Sequence, residues 1–174
     1  TGTYTQGTWG HECVGLSKYE VSTLRKMAAA STGVTQQQRC LTACLAFCFG
    51  RRQDPWLRVV SDSFKLWFKV LPDLILDDGI MSMRAAWSKA KQHVKIQGVS
   101  RVSRVRGLMT NIVHLLYSLQ WDPISFDTWK DPDGNVWQLD HTKPLPVHLV
   151  VFCILDHAEL VLWLNAANHH HGKG

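Results

Sequence analysis

From residue 79 to residue 121 the chain has no aspartate and no glutamate. Seven cations stand in that window: Arg84, Lys89, Lys91, Lys95, Arg101, Arg104 and Arg106. The net charge is +5, yet the residues outside the window carry 12 basic and 14 acidic side chains, so the positive charge belongs to this one segment. Other absences remove whole function classes. No GxGxxG and no P-loop is present, which excludes the usual glycine cradles for dinucleotides and nucleoside triphosphates. No GxSxG is present, which excludes the strained turn that exposes a serine nucleophile. The five cysteines are odd in number and lack the spacing of a disulfide framework. Such usage suits a reducing compartment and predicts an intracellular protein, nuclear or cytoplasmic. Residues 1–15 are polar and glycine-rich, without a signal-peptide pattern. The longest apolar stretch, 147–155, is too short to span a bilayer, so no membrane partner is expected. There is no internal repeat and no low-complexity run. No initiator Met heads the chain, and the expectation is a piece of a longer protein, with residues 1–15 a loop or the continuation of an upstream domain.

What is present suits a packed helical domain. The chain has 174 residues, 45% of them hydrophobic, and eight tryptophans, most of them expected as core anchors because each buries a large area. Ser17 and Glu20 form a capping box, predicting a helix that ends before Gly33. Thr35 with Gln38 repeats the start signal for a second helix running to about Phe49. Asp54 before Pro55 caps a third, whose Trp56, Val59, Val60, Phe64, Trp67, Phe68 and Leu71 follow helical spacing up to Pro72. A fourth helix is expected over 79–96, with Met83, Ala86, Trp87, Ala90 and Val94 as its stripe. A fifth is expected over 104–119. Two short alternating pieces, 126–130 and 136–140, suggest a hairpin. The segment 147–167 suggests a strand and then a helix capped by Asp156. The fold class predicted is mainly α, a bundle of five to six helices with one small β-hairpin near residues 126–140. Residues 16–121 form the helical domain, and 122–174 pack on it.

Several motifs invite chemistry. In WKDPDGNVWQLD, Asp131, Pro132 and Gly134 occupy the positions that a type I turn favours, so a hairpin carrying Trp129 and Trp137 on one face is expected. A calcium loop is rejected, because its glycine would come too early and its bidentate acid would be missing. Cys40, Cys44 and Cys48 recur every four residues along one helical stripe. Among apolar neighbours they suit thiols packed as small hydrophobes better than a metal site. Asp77 and Asp78 suit helix caps better than a two-metal carboxylate pair, which needs separate strands. His141, His148 and His157 lie among Asp140, Asp156 and Glu159 without a nucleophile to complete a triad. No catalytic residue, metal or cofactor is assigned.

The basic window carries the functional reading. Arginines and helix-start N–H groups together make phosphate sites, and Trp87 and His93 stand close enough in sequence to stack on bases. The seven cations are the expected contacts to an RNA or DNA backbone. The alternative is a solvated helix face balanced in space by acids from elsewhere.

Four phrases, GLSKYEVSTLRKMAAASTG, RCLTACLAFCFGRRQDPWL, RVRGLMTNIVHLLYSLQWDPISFDTWKDPDGNVWQL and LWLNAANHHHGKG, are spread from Gly15 to Gly174 and hold half of the chain. In order and spacing the chain resembles the stretch downstream of the reverse-transcriptase core in non-LTR retrotransposon polyproteins of dinoflagellate-type protists. That family shows a helix with G-hydrophobic-S…LR…A, a DP helix start, an RG…LGW helix and a W-x-D-x-DG-x-x-W hairpin. A proline often follows its RG, whereas Leu108 follows Arg106-Gly107 here. The resemblance implies a thumb, connector or post-thumb segment, with flanking polymerase or nuclease domains as partners. The family's palm aspartates would lie upstream, so no catalytic residue is carried over. The function expected is a non-catalytic nucleic-acid-binding or connector segment. A helical protein-interaction or scaffolding module is the alternative, and an enzyme built from scattered His, Cys and Asp residues ranks last.

Overall fold

A computed structural model describes residues 10–34, 40–75, 79–97, 105–139 and 144–171. Among them are seven α-helices: α1 (His11–Val14), α2 (Lys18–Ala30), α3 (Leu41–Phe49), α4 (Pro55–Ile75), α5 (Ile80–Gln97), α6 (Leu108–Ser118) and α7 (Pro144–His171). A 3-10 turn, Arg51–Gln53, joins α3 to α4, and strands β1 (Thr128–Lys130) and β2 (Val136–Gln138) form one antiparallel hairpin. The protein is therefore a mainly α bundle with a single small hairpin.

Local sequence signals build most of these elements. Glu20 N donates to Ser17 Oγ and Ser17 N to Glu20 Oε2, so the capping box that starts α2 is complete. At α4, Trp56 N donates to Asp54 Oδ1, which satisfies an otherwise orphaned amide of the first turn. The turn of the hairpin closes through Gly134 N to Asp131 O, and Gly134 adopts φ 95, where a side chain would be strained. Trp129 stands opposite Trp137 in the ladder.

One hydrophobic cluster joins these parts. Leu57, Val60, Phe64, Trp67 and Leu71 of α4 lie at its centre, against Trp87 and Val94 of α5, Ile112 and Leu116 of α6, and Val150, Ile154 and Ala158 of α7. Trp129 is fully buried, with its ring centroid 5.6 Å from Phe64 and 5.7 Å from Phe68, so the hairpin covers α4. Trp67 stacks at 5.5 Å on Trp87. Such aromatic pairs add roughly 0.5–1.5 kcal/mol each beyond the area they bury. A polar knot sits on the other side: the buried Asn111 amide donates to Ser63 Oγ at 3.2 Å and to Glu12 O at 3.0 Å, while Gly107 N donates to Cys13 O at 2.7 Å. Buried amides of this kind must be bonded, and here they tie α1 to α4 and α6.

Four local expectations are corrected. Pro72 lies inside α4 rather than closing it, on the exposed side of the last turn. The second helix begins at Leu41 behind Cys40, and the start signal at Thr35 and Gln38 lies outside the described residues. α6 begins at Leu108 rather than 104, because Gly107 at φ 87 breaks helical geometry there. The segment expected as a strand and then a helix is one helix, α7, and Asp156 is an exposed mid-helix residue, not a cap. As a single helix it also holds a window, Val147–Asn168, of 22 residues and mean hydropathy 1.8, long and apolar enough by composition to cross a membrane. The shorter run apparent in the sequence did not have that length.

Candidate nucleic-acid interface

Helical spacing decides where the basic window points. Met83, Trp87, Ala90 and Val94 form the inner stripe of α5. Lys89 and His93 then fall on one flank of that stripe, beside Ala86. Arg84, Lys91 and Lys95 fall on the other flank, about 120–180° around the helix from Lys89 and His93 at 3.6 residues per turn. The linker into α6 supplies another cation to the first flank. Val105 is buried and Gly107 is bonded to Cys13 O, which leaves Arg106 between them facing outward.

The result is an open groove of about 780 Å³ between α5 and α6, lined by Ala86, Lys89, Ala90, His93, Arg106, Met109 and Thr110. Its floor is small and apolar, and its rim carries two permanent cations and an imidazole. Among the described residues, ion pairs join His11 to Glu12, Arg25 to Asp54, Arg51 to Glu159 and Arg52 to Asp156, and none of these four involves a cation of the basic window. A groove with a cationic rim can hold an anion by Coulomb attraction and by N–H donation.

The other flank is occupied differently. Lys91 Nζ donates to Ile124 O at 3.2 Å, and Lys95 Nζ stands 5.9 Å from the centroid of the Tyr117 ring. Burial, aided by the charge of Asp122, pushes the Tyr117 phenol up, so the ring beneath Lys95 is neutral. Arg84 is exposed on this side. The structure thus brings together Lys89 and Arg106 of the expected contacts, and separates them from Arg84, Lys91 and Lys95. Arg101 and Arg104 lie outside the described residues.

Trp87, expected as a possible base platform, is a core residue: it is 2% exposed and its Nε1 donates to Pro123 O. Met109 and Thr110 were not anticipated as groove residues. They enter because both lie on the side of α6 that borders Ala86 and Ala90 of α5.

The remaining motifs show no assembled chemistry. Cys40 and Cys44 are half-buried and Cys48 is exposed, so the thiols are less enclosed than apolar neighbours suggested. Among the described residues no group of three or more His, Cys, Asp or Glu side chains converges on one point. His148 is exposed and His157 half-buried along α7, while Asp156 and Glu159 pair with Arg52 and Arg51. Asp77, Asp78, Asp140 and His141 lie outside the described residues. No protein-family model, no curated protein and no solved structure matches the chain.

Proposed function

We propose that this chain is a non-catalytic nucleic-acid-binding or connector segment of a retroelement reverse-transcriptase polyprotein, gripping the sugar-phosphate backbone of RNA or DNA in the α5–α6 groove. The observation that carries the binding is the convergence of Lys89, His93 and Arg106 on a solvent-open groove, with neither Lys89 nor Arg106 in an ion pair among the described residues. The retroelement setting, with polymerase or nuclease domains flanking the chain, rests on the order of the four sequence motifs. It gives the segment a thumb-like or post-thumb task, holding template and primer while chemistry takes place elsewhere.

Fluorescence anisotropy with labelled RNA and DNA oligonucleotides, run from low to moderate salt, tests the reading. Binding should weaken steeply with salt, each neutralised phosphate contributing about −0.7 to −0.9 to the log–log slope. The double variant Lys89→Glu, Arg106→Glu should lose affinity and flatten that slope by about two contacts' worth, roughly 1.4–1.8. Absence of binding at low salt, or a double variant that binds like the parent, overturns the proposal.

A protein-interaction module is favoured by a separate observation. The outer side of α7 exposes Leu149, Phe152, Leu160, Trp163 and Leu164 in a row. Contiguous apolar surface of that kind marks contact sites.

A further inference from the structure

α7 is 28 residues long and two-faced in position but not in chemistry. Its inner side, Val150, Ile154, Ala158 and Leu162, steps by four and packs into the core. Its outer side is also apolar, with Leu149 52%, Phe152 51%, Leu160 51%, Trp163 38% and Leu164 55% exposed. One acid interrupts that outer row, Asp156, held by Arg52, whose guanidinium also lies 4.4 Å over the Phe152 ring. We propose that this face joins a second copy of the chain, with the two α7 helices antiparallel about a two-fold axis at Asp156. The proposal deepens the protein-interaction reading by naming its partner, and it uses no residue of the basic groove.

Two observations select a second copy. The first is the spacing. Phe152 and Leu160 stand four residues before and after Asp156, and Leu149 and Trp163 stand seven before and after it. An antiparallel copy about that axis sets Phe152 against Leu160 of the second copy and Leu149 against Trp163 of the second copy. Positions three, four and seven apart share a helix face, so all of these contacts form along one seam. The second is charge. A two-fold interface must be complementary to itself. Two Asp156 carboxylates meeting at the axis would repel, but each arrives with its own Arg52, so the centre is a neutral group of four charges. Each Arg52 can then bond the carboxylate of either copy. Arg51 and the buried Glu159 supply a further neutral pair beside it.

The area matches a modest dimer. Taking roughly 200 Å² for a large side chain, five half-exposed ones leave on the order of 500 Å² per copy. The pair would bury about 1,000 Å², the lower limit of a specific interface, so association should be concentration-dependent. A bilayer suits the face less well. Crossing one would carry Asp156 and Glu159 into hydrocarbon and strip the inner side of α7 from α4.

Sedimentation equilibrium of the whole chain across micromolar concentrations is the test. The expected result is a reversible rise from one to two chain masses, with Leu160→Asp monomeric throughout and unchanged in helix content, since that side chain is half in water. Asp156→Arg alone, which places four cations at the axis, should also be monomeric. Arg52→Asp combined with Asp156→Arg should dimerise again, because the four charges at the axis are once more neutral. One chain mass at every concentration overturns the proposal, as does a dimer that survives Leu160→Asp. So does a monomer that floats with phosphatidylcholine vesicles, which would assign the face to lipid.

Discussion

Asp54→Ala removes two kinds of bond at once from a buried carboxylate. Arg25 Nε donates to both oxygens at 3.1 and 2.9 Å, and Trp56 N donates to Oδ1 at 2.9 Å. The capping bond is worth about 1 kcal/mol. Breaking a buried ion pair from one side costs roughly 3–5 kcal/mol, because the other charge stays behind. The Arg25 side chain is 14% exposed and keeps its bond to Thr42 Oγ1, so the lower end applies and the sum is about 4 kcal/mol. Asp54→Asn retains the cap and should lose about 3 kcal/mol. In urea, with a slope of about 2 kcal/mol/M, the alanine variant should unfold about 2 M earlier. Arg25→Met combined with Asp54→Asn should recover much of the loss, since no charge is then left alone. A shift below about 0.5 M for Asp54→Ala, on that same slope, would refute the reasoning. So would full additivity of Arg25→Met and Asp54→Asn. Either result would mean that this carboxylate does not join α2, α3 and α4.

Two further predictions concern single elements. Burial acts to raise the Asp131 carboxyl, but donations from Trp137 Nε1, the Asn135 side chain and the backbone of Asn135 and Asp133 together hold it below its ordinary value. Its stabilising effect is therefore complete above the unfolded value near ~3.9 and disappears as pH falls through the lowered one. Urea midpoints followed by tryptophan fluorescence should show that acid loss in the parent and less of it in Asp131→Asn. Ser17→Ala should lower stability by about 1 kcal/mol in the same assay. Because Ser17 hydrogen bonds hold the Glu20 carboxyl below its usual range, NMR titration of that variant should show Glu20 moving upward.

What was legible in the sequence was what neighbours decide. The capping box at Ser17, the Asp54–Pro55 start and the turn at Asp131 are set by bonds within four residues, and each stands where the sequence put it. α7 is hidden in the sequence for a physical reason. It is apolar on both sides, so it lacks the 3.6-residue alternation that marks a surface helix. Asp156 looked like a cap because its actual partner, Arg52, is 104 residues away. The same limit applies to the basic window. Charge sign could be read directly, but the division of its cations between two flanks depends on which side of α5 meets the core, and Arg106 joins Lys89 only through the fold.

The contact between Asn111 and the first turn has a practical consequence. His11 is 3% exposed, and the carbonyls of Glu12 and Cys13 accept from Asn111 and from Gly107. Residues 11–14 thus act as a plug held against α4 and α6. A shortened version beginning at Leu16 would unseal two amides next to the α6 start, and the groove arginine beside them would lose its anchored backbone.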